Sequence, residues 1–144
     1  MKDFITDVQV RWSDLDPNFH LRHSVYYDWG ALCRIKFFNE FGLAASIMQQ
    51  LQVGPILFRE ECIFRKEIHL EDKVKIDLVL SKVKKDYSRW SIKHRIFKND
   101  NILSALITVD GAWLDTNKRK LTVPPAEAVS LFEKMPRAEE FEFS

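Results

Sequence analysis

Residues 13–29 read SDLDPNFHLRHSVYYDW, a polar loop that gives way within a few residues to an apolar helical pattern. Asp14, Asp16, Pro17 and Asn18 are turn formers, and they end whatever element precedes them. Ser24 has the chemistry of an N-cap, and Asp28 places a negative charge in the first turn, where it complements the helix dipole. Tyr26, Trp29, Cys33, Phe37 and Phe41 then recur every three or four residues. That spacing predicts one buried helix face over residues 25–41, about 25 Å long. Gly42 supplies the stop just past the helix end. Gly30, inside the helix, costs about 1 kcal/mol relative to Ala, so its presence points to close approach of another group to the backbone.

Outward from this stretch the pattern changes twice. On the N-terminal side, Ile5, Val8, Val10 and Trp12 predict a strand over residues 5–12. On the other side a shorter helix is expected at residues 43–51, ended by Gly54 and Pro55. The period then becomes two, giving strands at 56–66, 74–81, 90–96 and 102–114. The intervening turns, at 70–72, 85–87 and 98–101, are too short for parallel crossovers, so neighbouring strands run antiparallel. Pro124 and Pro125 open a last helix over 126–135, with Ala128, Leu131, Phe132 and Met135 on its apolar side. The tail at 139–144 alternates Glu and Phe and fits either a docked edge segment or a free end. The class is α+β: a long central helix against one face of a curved antiparallel sheet of five to six strands. One helix leaves sheet edges and surface uncovered, which predicts self-association.

A chain of 144 residues fits a single domain spanning 1–144. At 46% hydrophobic, with 11 Phe and 4 Trp, it is too apolar to be disordered. Lys and Arg total 22 against 21 Asp and Glu, so the net charge of +1 argues against a dedicated nucleic-acid binder. Only 4 Gly occur, which argues against a glycine-rich phosphate loop. Cys33 and Cys62 are too few for a disulfide framework and read as reduced, buried hydrophobes. No apolar segment follows Met1, Lys2 and Asp3, and the uncharged run at 42–58 is too polar to span a bilayer. The expected compartment is the cytoplasm, with no membrane partner.

Functional side chains concentrate between residues 13 and 23: Asp14, Asp16, His20, Arg22 and His23. They admit three readings. The first is a plain loop whose Asp and Asn residues form turns. The second makes Asp14, Asp16, His20 and His23 metal ligands, but their spacing matches no strong metal motif, and no metal is expected. The third makes Asp16 an acid/base group or nucleophile beside the N-terminus of the long helix, whose unpaired N–H groups can hold a developing oxyanion.

The segment from Ser13 to Trp29, followed by Arg34, resembles the active-site signature of hot-dog-fold acyl-CoA thioesterases of the 4-hydroxybenzoyl-CoA thioesterase type. The strand order is also that of the hot-dog fold, so the similarity covers nearly the whole chain. The resemblance implies that Asp16 is the catalytic carboxylate. It implies that His23 supplies a backbone N–H polarising the thioester carbonyl, with Ser24 beside it. Tyr26 matches the aromatic that leads into the helix, and Arg34 matches a helix Arg. Two departures stand out. Phe19 occupies the position where the family usually has Gly, and would shape the acyl pocket or its mouth. Ala31 stands where some relatives carry a Glu, which leaves Asp16 as the well-placed carboxylate.

The chemistry suits Asp16. Thiolates leave readily, with a pKa of about 8.5, so hydrolysis needs an oxyanion site and a carboxylate that attacks directly or deprotonates water, but no strong acid. The resemblance further suggests that basic side chains hold the phosphates of coenzyme A. Lys84, Lys85 and Arg89, with Lys82, form one basic turn, and Lys118, Arg119 and Lys120 form an alternative. His69 and His94 receive no role, and Cys33 on an apolar helix face would be inert. The expected activity is hydrolysis of a fatty or aromatic acyl-CoA by a homodimer or homotetramer, without a cofactor. The rivals are a non-catalytic acyl-binding module and an enoyl-CoA hydratase or dehydratase on the same fold.

Overall fold

The computed structural model describes residues 3–144. Strand β1 (Ile5–Val8) leads through a 3-10 turn at Trp12–Asp14 to the long helix α1 (His23–Glu40) and the short helix α2 (Ala45–Leu51). Strands β2 (Val53–Phe64), β3 (Val74–Asp77), β4 (Val79–Val83), β5 (Arg89–Lys98), β6 (Ile102–Asp115) and β7 (Lys120–Leu121) follow, then helix α3 (Ala126–Lys134) and strand β8 (Arg137–Phe143). Among the described residues no helix is long and apolar enough to cross a membrane.

Helix α1 ends as the sequence predicts. Gly42 takes a φ of 93°, and the Leu43 N–H returns to the Phe38 carbonyl at 2.8 Å, closing a Schellman turn with Leu43 fully buried behind it. Its start differs from expectation. The helix begins at His23 with Arg22 at the N-cap, so Ser24 lies inside the first turn, and no side chain caps the end. The Ser24 hydroxyl instead accepts from Arg22 Nε at 2.9 Å. The expected inward face is present, with Tyr26, Trp29, Cys33 and Phe37 buried and Phe41 partly so.

The sheet has eight strand segments in five side-by-side positions: β2, β6, β5, then β3 with β4, then β1 with β8. Strand β7 extends the β5 position along the end of β6. The continuous strand expected at 74–81 is therefore two. The break has a cause at Asp77, whose carbonyl accepts from His94 Nδ1 at 2.8 Å and whose carboxylate takes the Arg95 N–H at 2.7 Å. The first strand is also shorter than expected. Trp12 leaves the sheet for the 3-10 turn and is 69% exposed. The tail docks as β8, parallel to β4. The core lies between α1 and the sheet, and α3 closes one end by setting Phe132 against Trp90 and Trp113.

Candidate active site

The loop between the 3-10 turn and α1 closes on itself. Leu15 and Leu21 form an antiparallel bridge, the Asp16 N–H donates to the His20 carbonyl at 2.8 Å, and the Phe19 N–H donates to the Asp16 carbonyl at 2.9 Å. Oδ1 of Asp16 accepts the backbone N–H groups of Asn18 (2.8 Å) and His20 (3.2 Å). Both of these bonds fall on one oxygen, and among the described residues Oδ2 accepts no protein donor. Phe19 takes a φ of 64°, a left-handed conformation that disfavours a side chain. Its exposed ring lies 6.3 Å from that of Trp12. Glycine would be the unstrained residue here, so the Phe for Gly departure is a departure of backbone chemistry as well as of pocket shape.

The first turn of α1 meets this loop. The Arg22 N–H is taken by the Asp14 carbonyl at 2.7 Å, and the Val25 N–H by the Arg22 carbonyl at 3.0 Å. Between them, the His23 and Ser24 N–H groups donate to no protein acceptor among the described residues. Two adjacent unpaired donors with the helix dipole behind them suit a developing negative charge. The His23 side chain is exposed. Tyr26 is buried against Phe64, ring centroids 4.9 Å apart. Burial, with the Asp16 and Glu67 carboxylates adding, pushes its hydroxyl up to about 12, so it stays protonated.

Asp14 is set apart from this chemistry. It is buried, and its two oxygens accept three bonds from Arg11, namely the backbone N–H at 2.9 Å, Nε at 3.3 Å and Nη2 at 3.0 Å. Burial works to raise its pKa, but the Arg11 bonds outweigh this and hold it below the usual carboxylate range. His20 turns away from Asp14 and His23 toward Glu67 and His69. Cys33 is fully buried, and burial pushes its thiol up to about 12, which leaves it protonated and inert. Cys62, half-buried, is pushed up to about 12 by the same effect.

Arg34 and His94 form a pair that the sequence pattern does not reveal. Arg34 Nη1 lies 3.0 Å from His94 Nε2, and Arg34 Nη2 lies 3.7 Å from Glu60. Burial, with the Arg34 charge adding, lowers His94 to about 3. The ring is therefore neutral, donating from Nδ1 to the Asp77 carbonyl and accepting from Arg34 at Nε2. These two side chains are the groups that approach Gly30: a Cβ there would meet Arg34 Nη1 at 3.2 Å and His94 Cδ2 at 3.4 Å.

The basic turns stand apart from Asp16. Lys84, Lys85 and Arg89 are exposed at the β4–β5 turn, and Arg89 stacks on Phe58 at 5.1 Å. Lys82 pairs with Glu142 of β8. Along β6, Ala105 sits opposite Phe64 near Tyr26, while Ala112 sits opposite Arg89. Seven residues of strand separate them, roughly 23 Å. Within one chain the structure thus does not bring these cations to Asp16. It does bring the two basic turns together, since Trp113 bonds Ser88 of one and Thr122 beside the other.

The chain matches the sequence profile of the thioesterase-like superfamily over residues 10–132. This chain belongs to that superfamily. The fold of this thioesterase-like protein is the hot-dog fold, and solved structures share it at low sequence identity. A hypothetical protein from Staphylococcus aureus in complex with CoA aligns at TM-score 0.83 and 18% identity, covering 95% of this chain and 88% of that one. A hypothetical protein from Aquifex aeolicus aligns at 0.82 and 20% identity, covering 90% and 98%. A 1,4-dihydroxy-2-naphthoyl-CoA thioesterase from Synechocystis aligns at 0.81 and 13% identity, covering 92% and 97%. No curated protein is significantly similar to this thioesterase-like chain in sequence.

Proposed function

We propose that the protein is an acyl-CoA thioesterase, hydrolysing a fatty or aromatic acyl-CoA to the free acid and CoA. The observation that carries this reading is the adjacency of two unpaired N–H groups, on His23 and Ser24, to a loop that holds the Asp16 carboxylate by one oxygen only. The carbonyl oxygen of the thioester sits on those N–H groups and gains negative charge as the carbon is attacked. Asp16 either adds through Oδ2, expelling the thiolate and leaving an anhydride for water to cleave, or takes a proton from the attacking water. The thiolate leaves without a strong acid.

The groove beside α1, lined by Ala31, Arg34, Ile35, Phe38, Pro55, Leu57 and Trp90, offers the acyl chain a largely apolar surface. Phe19 and Tyr26 bound the reacting end, and Ala31 gives the groove room where a Glu would fill it. A homodimer or dimer of dimers accounts for the remaining distance: Lys84, Lys85 and Arg89 of one subunit hold the CoA phosphates of a site in another.

Thiol release from a panel of aliphatic and aromatic acyl-CoAs tests the proposal. Asp16→Asn keeps an acceptor oxygen for Asn18 and His20, so the fold should survive while kcat falls about 100-fold or more. Full activity in that variant, or no turnover of any acyl-CoA by the wild type, overturns the mechanism. Saturable acyl-CoA binding without thiol release would instead mark a binding module. Single turnover in labelled water separates the two roles of Asp16, because only the covalent route leaves label in its carboxylate.

A further inference from the structure

Behind the Asp16 loop, His20 meets two residues from the β2–β3 connection. His20 Nε2 lies 3.1 Å from Glu67 Oε2, and His69 Nε2 lies 3.9 Å from the same oxygen. A ligand atom from each of the three lies within 4.8 Å of the others. In a tetrahedral zinc site, neighbouring ligand atoms stand about 3.3 Å apart, so small side-chain rotations would seat all three on one ion. We propose that His20, Glu67 and His69 form a binding site for a divalent transition-metal ion of the zinc type.

The backbone prepares this arrangement. Ile68 is fully buried, and its carbonyl accepts the Leu21 N–H at 2.8 Å, joining the two segments that carry the ligands. In an extended segment alternate residues share a side, so an inward Ile68 sends Glu67 and His69 outward together. His20 sits one residue from Leu21, on the closed loop. Asp72 supports His69: its Oδ2 accepts the His69 N–H at 2.8 Å and lies 3.7 Å from His69 Nδ1. A carboxylate on that side favours the tautomer with hydrogen on Nδ1, which leaves the Nε2 lone pair for a metal. Two imidazoles and one carboxylate suit Zn2+, with the remaining position left to water. Glu67 and His69 are exposed and His20 is partly so, which permits entry from solvent. The bound ion would fasten the loop that carries Asp16 to the β2–β3 connection.

Sequence spacing hides the site because the ligands come from two distant segments. Of the earlier candidates, only His20 takes part.

Titration of the full chain with Zn2+ in chelator-free buffer tests the proposal, read by calorimetry and by competition with a chromophoric chelator. One ion should bind per chain. His20→Ala and His69→Ala should each weaken affinity tenfold or more, Zn2+ should raise the melting temperature of the wild type but not of these variants, and His23→Ala should bind like the wild type. Glu67→Gln, at an exposed side chain, should also weaken binding and carries the comparison should His20→Ala fail to fold. Equal affinity in the wild type and the His20→Ala/His69→Ala double variant would overturn the site, as would a loss in His23→Ala as large as in His20→Ala. The site is independent of thioester hydrolysis, so a chain inactive on every acyl-CoA would leave this outcome unchanged.

Discussion

Phe19 holds a conformation that its own side chain opposes. At a φ of 64° the Cβ crowds the backbone, which costs about 1 kcal/mol or somewhat more for a residue other than glycine. The ring recovers part of this through contact with Trp12, and both rings stay largely exposed. Two substitutions separate the backbone cost from the ring contact. Phe19→Ala keeps the Cβ and loses the ring, whereas Phe19→Gly removes both. In urea denaturation Phe19→Gly should be more stable than Phe19→Ala by about 1 kcal/mol, the reverse of the usual order in a helix. Equal stability would mean that the loop relaxes to another conformation on losing the ring. In the sequence Phe19 is legible as an oddity inside a loop signature; that it sits at positive φ comes from the Asp16–His20 closure around it.

Among the elements, β2 has the most to gain from a partner. It pairs with β6 along one edge and, among the described residues, with no strand along the other. Leu57, Phe58, Ile63 and Phe64 are each between 45% and 53% exposed on it, a density of apolar surface that an unpaired edge rarely carries alone. Leu32 and Ile35 of α1 add exposed apolar surface. A second copy covering this region would bury it. The double substitution Leu57→Lys/Ile63→Lys should shift the sedimentation of the protein from dimer to monomer and lower thioesterase activity with it. A dimer that persists unchanged would move the interface elsewhere. Alternation alone predicted that β2 exists, but the strands from 74 to 83 show its limit. Their break follows from Asp77 satisfying His94 and Arg95, partners that no local pattern names.

At the scale of the whole molecule, His94 couples stability to pH. Its ordinary value is 6.5, and burial in the fold lowers it to about 3. Between those values the unfolded chain binds a proton that the folded chain refuses. Stability is therefore full above pH 6.5 and falls as pH drops through this window, with a slope approaching about 1.4 kcal/mol per pH unit for this one group. His94→Gln can still accept from Arg34 and donate to the Asp77 carbonyl without titrating. Stability measured by urea denaturation should fall less steeply in that variant between pH 6.5 and 4. An identical slope in the two proteins would show that carboxylates, not His94, govern the acid limb.

Taken alone, the sequence determined the α+β order, the long helix, its glycine stop and the loop that carries Asp16. Each of these depends on neighbours a few residues apart, through periodicity, turn chemistry and capping. It also determined that something approaches Gly30. Tertiary structure decided what that something is, because Arg34 and His94 meet only when α1 lies on β5. It decided likewise that His20 faces Glu67 and His69 rather than its neighbours in the loop. Packing brings distant segments within a few ångströms, and a side chain bonds with what lies within its reach in space, not with what adjoins it along the chain.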